Sequence, residues 1–177
     1  VCVLPGGTPM VLSVRSSTVV GDAIDHICNN LSINGALERD EHTIFYVIEN
    51  ENRYCPLSRE EYLFDITTEL DNHKKPFYLL FQRTSWVFPV NMAGNQLYID
   101  VIYHQSLPDY LDGFLLLMKS NTLPPHEKDD VAYLGALQLR AADKNSLPQQ
   151  RDIKFVIPRN CHNLDDMRIA QWTNAVQ

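Results

Sequence analysis

Along the first 83 residues, short hydrophobic runs of strand length surround one stretch in which apolar residues recur every three or four positions. That spacing is typical of one face of an α-helix, and it predicts a helix from about Thr18 to Leu31 with Thr18 as its cap. Asn34-Gly35 is the predicted stop of this helix. The surrounding runs predict strands at 1–4, 10–14, 43–48, 53–55 and 77–81, turns at 5–7 and 49–52, and one helical turn at 62–66.

Beyond residue 83 the apolar positions follow helical spacing almost throughout. They predict helices over 96–105, from Pro108 to Met118, over 125–143 and over 164–176, although 97–103 could also be a strand by its β-propensity. The helix over 125–143 is apolar nearly all round, so we expect it at the centre of a helical bundle. The last helix is expected to bury Ile169, Trp172, Thr173 and Val176.

The order of these elements predicts an α+β chain of two domains. Strand, strand, helix, strand, short strand, short helix, strand is the order of the ubiquitin-like β-grasp, in which one helix crosses a mixed sheet. We therefore predict a ubiquitin-like β-grasp lobe at residues 1–83, followed by an all-α lobe at 84–177. The second lobe resembles the helical bundle of acyl-CoA-binding proteins.

Composition narrows the classes of partner. The chain has 177 residues, 45% of them hydrophobic, and a formal net charge of −7, which is ordinary for a globular protein. Residues 1–83 hold 7 basic and 12 acidic side chains, and residues 84–177 hold 8 and 10. The longest basic cluster is Lys74-Lys75, so the chain lacks the basic stripe that nucleic-acid binding needs. We expect neither nucleic-acid binding nor direct membrane binding, because both need positive charge.

The cysteines and histidines do not predict a metal site. Cys161-His162 is the one Cys/His neighbour pair, and adjacent residues rarely bind the same metal ion. The sequence contains no C-x-x-C, and its cysteine spacings follow no small secreted scaffold. We expect reduced, partly buried thiols in a cytoplasmic protein at Cys2, Cys28, Cys55 and Cys161.

No group of residues predicts an enzyme either. His104, Ser106 and Asp109 are close in sequence, but residues two apart on a helix face apart. Asp100 lies inside an apolar run and would need a structural hydrogen bond if buried. We predict a non-catalytic binding or scaffold role, with no cofactor.

Three stretches carry a family resemblance. Pro56–Asp65 is similar to the end of the first lobe in the FERM domains of unconventional myosin tails. Leu80–Trp86 is similar to their inter-lobe joint, an aromatic-Arg-x-x-Trp pattern. Tyr103–Gly113 resembles their second-lobe signature, and its spacing of aromatic, Gln, Pro and Gly residues makes it the most specific of the three. The resemblance extends over the whole chain, and classes XV and VII are the nearest.

The resemblance implies an adaptor that binds cargo or scaffold proteins for an actin-based motor. It also implies that the chain is the first two lobes of a longer module, with a myosin tail homology domain before it and a third lobe after Gln177. We expect the protein in the actin cytoskeleton or in actin-based protrusions. The alternatives are a FERM domain of another actin–membrane linker or of a kinesin and, from a different class, a carrier of acyl-CoA or another small ligand.

Candidate partner-binding residues follow from the acid excess of the first lobe. Edge strands and the cleft between lobes are the geometric candidates for a partner site. Two groups of carboxylates could meet a basic partner: Glu38, Asp40 and Glu41 in one segment, and Glu49 and Glu51 in the next loop. Trp86, Tyr103 and Tyr110 are predicted to be structural residues between the lobes, with Trp86 as a wedge.

Overall fold

The computed structural model describes residues 1–51, 53–90, 95–116, 118, 120–142 and 147–177, apart from the side chain of Glu49. Contacts between Cα atoms divide the chain into two compact units, Val1–Gln105 and Ser106–Gln177. Each unit is described by itself below. The predicted boundary at residue 83 falls inside the first unit and stays a prediction for the division into lobes.

The first unit is built on a five-stranded mixed sheet in the order β2-β1-β5-β3-β4. The β1–β5 pair is parallel, and the other pairs are antiparallel. The predicted hairpin at the start of the chain is confirmed, but its strands are shorter than predicted. The strands are β1 (Cys2–Val3), β2 (Pro9–Met10), β3 (His42–Ile48), β4 (Arg53–Pro56) and β5 (Phe77–Arg83).

Helix α1 (Val20–Asn30) provides the centre of the first core. Its predicted apolar face is confirmed, because Val20, Ile24 and Ile27 are fully buried. Thr18 does not cap this helix; its hydroxyl oxygen accepts a hydrogen bond from the Arg15 N–H at 2.9 Å. The remaining helices of this unit are α2 (Ala36–Arg39), α3 (Leu63–Asn72), a 3-10 turn (Glu49–Glu51) and the start of α4 (Gln96–Asp112). Helix α3 is longer than the single turn predicted there.

Helix α4 adds its first turns to the same core. Tyr98, Val101 and Ile102 are buried with residues of the sheet and of α1. The prediction of a helix over 96–105 is confirmed, and the alternative of a strand is wrong. Pro108 does not begin a second helix as predicted, because α4 continues through it to Asp112. A proline inside a helix removes one backbone hydrogen bond, and the packing of the preceding turns outweighs that loss.

The second unit surrounds a buried tryptophan. Trp172 is fully buried, and its indole N–H donates to the Cys161 carbonyl oxygen at 2.8 Å. Leu164 and Ile157 are fully buried in the same cluster. The elements of this unit are the end of α4, α5 (Pro125–Ala141), α6 (Gln150–Ile153), a 3-10 turn (Arg159–Cys161) and α7 (Ile169–Ala175). The final helix is therefore shorter than the predicted 164–176.

Helix α5 is buried on one side only, so its predicted central position is wrong. Ala132, Gly135 and Leu139 face the core. Leu134 and Leu137, which are also apolar, are 43% and 44% exposed. An apolar residue in a helical pattern does not by itself indicate burial, since much of any protein surface is apolar.

We predict that Trp172→Ala lowers the free energy of unfolding by about 3–5 kcal/mol, because it empties a fully buried site and removes a buried hydrogen bond. Urea denaturation followed by circular dichroism measures this change. The matched control is Phe155→Ala, at an aromatic residue that is 74% exposed, and it should change stability by less than about 0.5 kcal/mol. Equal losses for the two variants would contradict the buried position of Trp172.

Candidate functional site

A buried ion pair joins strand β5 to the start of β3. The Arg83 side chain is fully buried, and its Nε atom donates to Glu41 Oε2 at 2.8 Å, with a second bond from Nη2 to the same oxygen. The other carboxylate oxygen of Glu41 accepts the backbone N–H groups of Val87 at 2.7 Å and Phe88 at 3.0 Å. Both oxygens of the buried carboxylate are therefore used.

Arg83 also fixes the segment that follows β5. Its Nε shares its hydrogen between Glu41 and the Ser85 carbonyl oxygen, which lies 3.1 Å away, and Nη2 donates to the Phe88 carbonyl oxygen at 2.6 Å. Nη1 donates to the Tyr98 hydroxyl at 3.4 Å. The Trp86 ring lies over the guanidinium, 4.8 Å from Cζ to the ring centroid. Burial of a charged group is tolerated only when its hydrogen bonds are satisfied, as those of Arg83 are here.

Two residues of the Tyr103–Gly113 stretch have specific structural roles. The Gln105 side chain exchanges two hydrogen bonds with the Arg83 backbone: Nε2 donates to its carbonyl oxygen at 2.5 Å, and Oε1 accepts its N–H at 3.0 Å. Gly113 follows α4 with φ of +88°, and a Cβ there would lie 2.5 Å from the Asn160 side chain. Both conformation and space therefore require glycine at this position.

Hydrogen bonds keep Glu41 ionised. Burial alone raises the pKa of this carboxyl, but bonds from the Phe88 N–H, the Arg83 guanidinium and the Val87 N–H outweigh burial and lower the pKa. The negative charge of Glu41 is paired with Arg83 and with two backbone N–H groups inside the protein.

His42 is a neutral, buried neighbour of this pair. Its ring stacks on Phe81 with centroids 5.1 Å apart, and Nδ1 donates to the Glu38 carbonyl oxygen at 2.8 Å. Nε2 therefore carries the lone pair and lies 3.5 Å from the Tyr98 hydroxyl oxygen. Burial, more than any other cause, lowers the pKa of His42 to about 4, although the bond to Glu38 partly opposes it.

The comparisons with known proteins agree over nearly the whole chain. Human unconventional myosin-XV is 32% identical over 173 residues, which cover 98% of this chain and 5% of the relative. Human unconventional myosin-XVB is 28% identical over 158 residues, which cover 88% of this chain and 5% of the relative. No protein-family model matches the chain.

Several solved structures match 99% of the chain. The human Myosin 7b C-terminal MyTH4-FERM domain, in complex with the harmonin-a PDZ3 domain, has a TM-score of 0.70 at 20% identity, with 36% of that chain covered. The Dictyostelium Discoideum Myosin VII MyTH4-FERM MF2 domain has a TM-score of 0.69 at 14% identity, with 35% covered. Structural likeness at these identities shows a shared fold, and the human relatives add the sequence similarity.

The chain is related by sequence to unconventional myosin-XV, and it has the fold of the FERM domains of unconventional myosin tails. It spans about 5% of the length of the curated relatives that it matches. The resemblance carried by the Pro56–Asp65, Leu80–Trp86 and Tyr103–Gly113 stretches is therefore confirmed at the level of the family.

Within this FERM chain, the predicted acidic surface is not continuous. Glu41 was predicted to meet a partner, but it is 4% exposed and pairs with Arg83. The other predicted carboxylates have partners within the chain: Glu38 Oε1 accepts from the Tyr98 hydroxyl at 3.3 Å, Asp40 lies 3.4 Å from Arg59, and Glu51 lies 2.5 Å from Lys75. The side chain of Glu49 lies outside the described residues.

The three predicted structural aromatic residues lie in different environments. Trp86 is 51% exposed, so it is not fully buried. Tyr103 is 44% exposed and packs edge-on against His104, with ring centroids 5.4 Å apart. Tyr110 is buried, and its hydroxyl has no hydrogen-bond partner among the described residues. A role between lobes stays a prediction for all three.

Candidate chemistry is sparse in the described part of the FERM chain. Its His, Cys, Asp and Glu residues form no group of three or more that could hold a metal ion. All four cysteines are free thiols, and burial raises the pKa of Cys2 and of Cys28 to about 12. Asp100 is exposed and accepts a hydrogen bond from the Gln96 side chain at 3.0 Å. None of the described helices is both long and apolar enough to span a membrane.

A pattern in the sequence does indicate that Arg83 and Glu41 are buried partners. Residues two apart on a strand share one face of the sheet, and Leu79, Phe81 and Arg83 alternate in that way. Because Leu79 and Phe81 are buried, the alternation places Arg83 on the buried face as well. A buried arginine needs a carboxylate partner, and Glu41 lies at the start of the strand that pairs with β5.

We predict that Arg83→Met lowers the melting temperature by about 10 °C, because the Glu41 carboxylate stays buried without its cation. Adding Glu41→Gln should recover part of this loss, since the neutral amide costs less to bury. Thermal unfolding followed by circular dichroism measures both changes. The matched control is Arg59→Met, which removes an arginine from exposed ion pairs with Asp25 and Asp40 and should have little effect. A double variant no more stable than Arg83→Met would contradict the pairing.

We predict that stability falls as the pH is lowered from about 6.5 to about 4 through His42. In this range the unfolded histidine binds a proton and the folded one does not, so acid favours unfolding, by up to about 3 kcal/mol. Urea denaturation at a series of pH values measures the slope. His42→Asn keeps a donor for the Glu38 carbonyl oxygen but does not titrate, so most of the slope should disappear. His73→Asn, at an exposed histidine, should keep the slope, and the opposite pattern would exclude His42 as its source.

Proposed function

We propose that the chain is a non-catalytic, protein-binding module of an unconventional myosin tail and that it forms the first two lobes of a FERM domain. In this proposal residues 1–83 form the ubiquitin-like β-grasp lobe. Residues 84–177 form the acyl-CoA-binding-protein-like helical lobe. The complete protein would carry a myosin tail homology domain before this chain and a third FERM lobe after it.

One observation carries the proposal: the 32% identity to human unconventional myosin-XV extends over 98% of the chain. Sequence similarity of this extent favours class XV over class VII, since the myosin VII matches rest on fold. The five-stranded mixed sheet with α1 against it supports the β-grasp assignment. The helices α5, α6 and α7 around Trp172 support the helical lobe.

The proposed partners are cargo or scaffold proteins. The Myosin 7b MyTH4-FERM domain forms a complex with a harmonin PDZ domain, which supports the same class of partner for this chain. Any ATPase activity would belong to a motor domain outside this chain. The net charge of −7 supports a protein partner over nucleic acid or an anionic membrane. The proposed location is the cytoplasm, in the actin cytoskeleton and its protrusions.

We predict that the purified 177-residue chain, added in excess, displaces cargo or scaffold proteins from the longer myosin tail that contains it. Partners that bind through this chain are expected to move to the free competitor. The measurement is the amount of each partner retained on immobilised tail, quantified by mass spectrometry. Ubiquitin at the same concentration controls for a fold-related but unrelated protein.

Two outcomes would overturn the proposal. Retention of every partner at its original level would show that partners bind elsewhere in the tail. Saturable binding of acyl-CoA to the chain, together with no displacement, would favour the small-ligand carrier instead. Deleting residues 1–83 from the tail then separates the lobes, because unchanged partner binding would remove any role for the acidic first lobe.

A further inference from the structure

A groove of about 370 Å³ lies between helix α3 and the β3–β4 hairpin of the first unit. Its apolar surface comes from both sides, with Ile48 and Leu57 from the hairpin segment and Ile66 and Leu70 from the helix. The volume is within the usual range of ligand-binding clefts. The polar residues that line it are Tyr46, Arg53, Glu61, Glu69, His73 and Lys75.

Strand β4 borders this groove and is an edge of the sheet. The Leu57 N–H donates to the Ile44 carbonyl oxygen at 2.9 Å. This bond decides which residues of β4 direct their backbone N–H and C=O groups toward β3. In an antiparallel pair the hydrogen-bonding residues alternate, so the N–H and C=O of Tyr54 face outward, away from β3. The outward position next along the strand is Pro56, which has no N–H.

The basic side chains of the first unit differ in whether a carboxylate of the same chain already pairs with them. Arg83 is paired with Glu41, and Arg39 and Arg59 are both paired with Asp25. Arg53, at the rim of the groove, lies two residues from Cys55 on β4. Among the side chains that the structure describes, it forms no ion pair with a carboxylate. Most guanidinium donors of Arg53 are therefore available to a partner.

The carboxylates that line the groove have partners within the chain. Glu61 accepts the Ser58 N–H at 2.6 Å, and Glu69 lies 3.9 Å from His73. At the same rim, Lys75 pairs with Glu51 at 2.5 Å. Of the arginine and lysine side chains that line the groove, Arg53 is therefore the one without a carboxylate partner among the described residues.

We propose that this groove binds an extended acidic and apolar peptide segment of a partner protein. The segment pairs its backbone with Tyr54 at the edge of β4 and inserts apolar side chains between the hairpin and α3. Its carboxylate accepts hydrogen bonds from Arg53. Arg53 and the apolar floor are on the same face of the hairpin, so alternate side chains of one added strand reach both. This inference rests on the proposed protein-binding function and names its site and ligand chemistry.

The test is a library of short peptides in which threonine alternates with randomised positions, screened against the whole chain. We expect selection of Asp or Glu at one randomised position and of Leu, Ile or Val at the positions two residues away. Arg53→Glu should weaken the selected peptides about ten-fold or more and shift the selection to Lys or Arg at the acidic position. The matched control is Arg15→Glu, an exposed arginine of the same unit outside the groove lining, which should leave the selection unchanged.

A second measurement locates the bound peptide. In NMR spectra of the chain, the selected peptide should shift the Tyr54 amide and the methyl groups of Ile66 and Leu70. Selection of no peptides, or of peptides that bind Arg53→Glu as well as the unchanged chain, would overturn the inference. If the chain still displaces partners from the tail in that case, the protein-binding function stands and only the groove is wrong. Circular dichroism of each variant verifies that it is folded.

Discussion

The buried ion pair between Arg83 and Glu41 is the interaction on which the first unit depends. It joins the ends of two neighbouring strands, and the same two side chains bind the backbone of the segment 85–88. Gln105 on α4 holds the Arg83 backbone from the other side. Removing one member of such a pair is costly, because the other charge stays buried without a partner.

Local sequence patterns predicted the elements whose burial is regular. Strand β3 and helix α1 have apolar faces with clear periods, so both were predicted to within two residues at each end. The passage of α4 through Pro108 could not be predicted, because the local preference of proline for a first turn is weaker than packing. Leu134 and Leu137 are exposed although their spacing is helical, because an apolar pattern does not indicate which face of a helix the rest of the protein covers.

The candidate site was harder to predict than the fold. Glu41 was assigned to the surface because charged residues are mostly exposed, and its partner lies 42 residues away in sequence. Pairing over such a distance follows only from the sheet register, which joins His42 to Arg83. The family resemblance identified the stretches that contain Arg83 and Gln105 but not the bonds between them. Several of the acidic side chains that were expected at the surface for a partner instead form ion pairs within the chain, as Glu41, Asp40 and Glu51 do.

Pro56 has a consequence for how the edge of this sheet meets other chains. An exposed strand edge invites sheet growth, in which one copy adds to the next without limit. At β4 the outward side offers the N–H and C=O of Tyr54, and the next outward residue supplies an oxygen but no N–H. A short strand from another chain can therefore bind there through few backbone hydrogen bonds and dissociate again. The missing N–H opposes the addition of copy after copy into a continuous sheet.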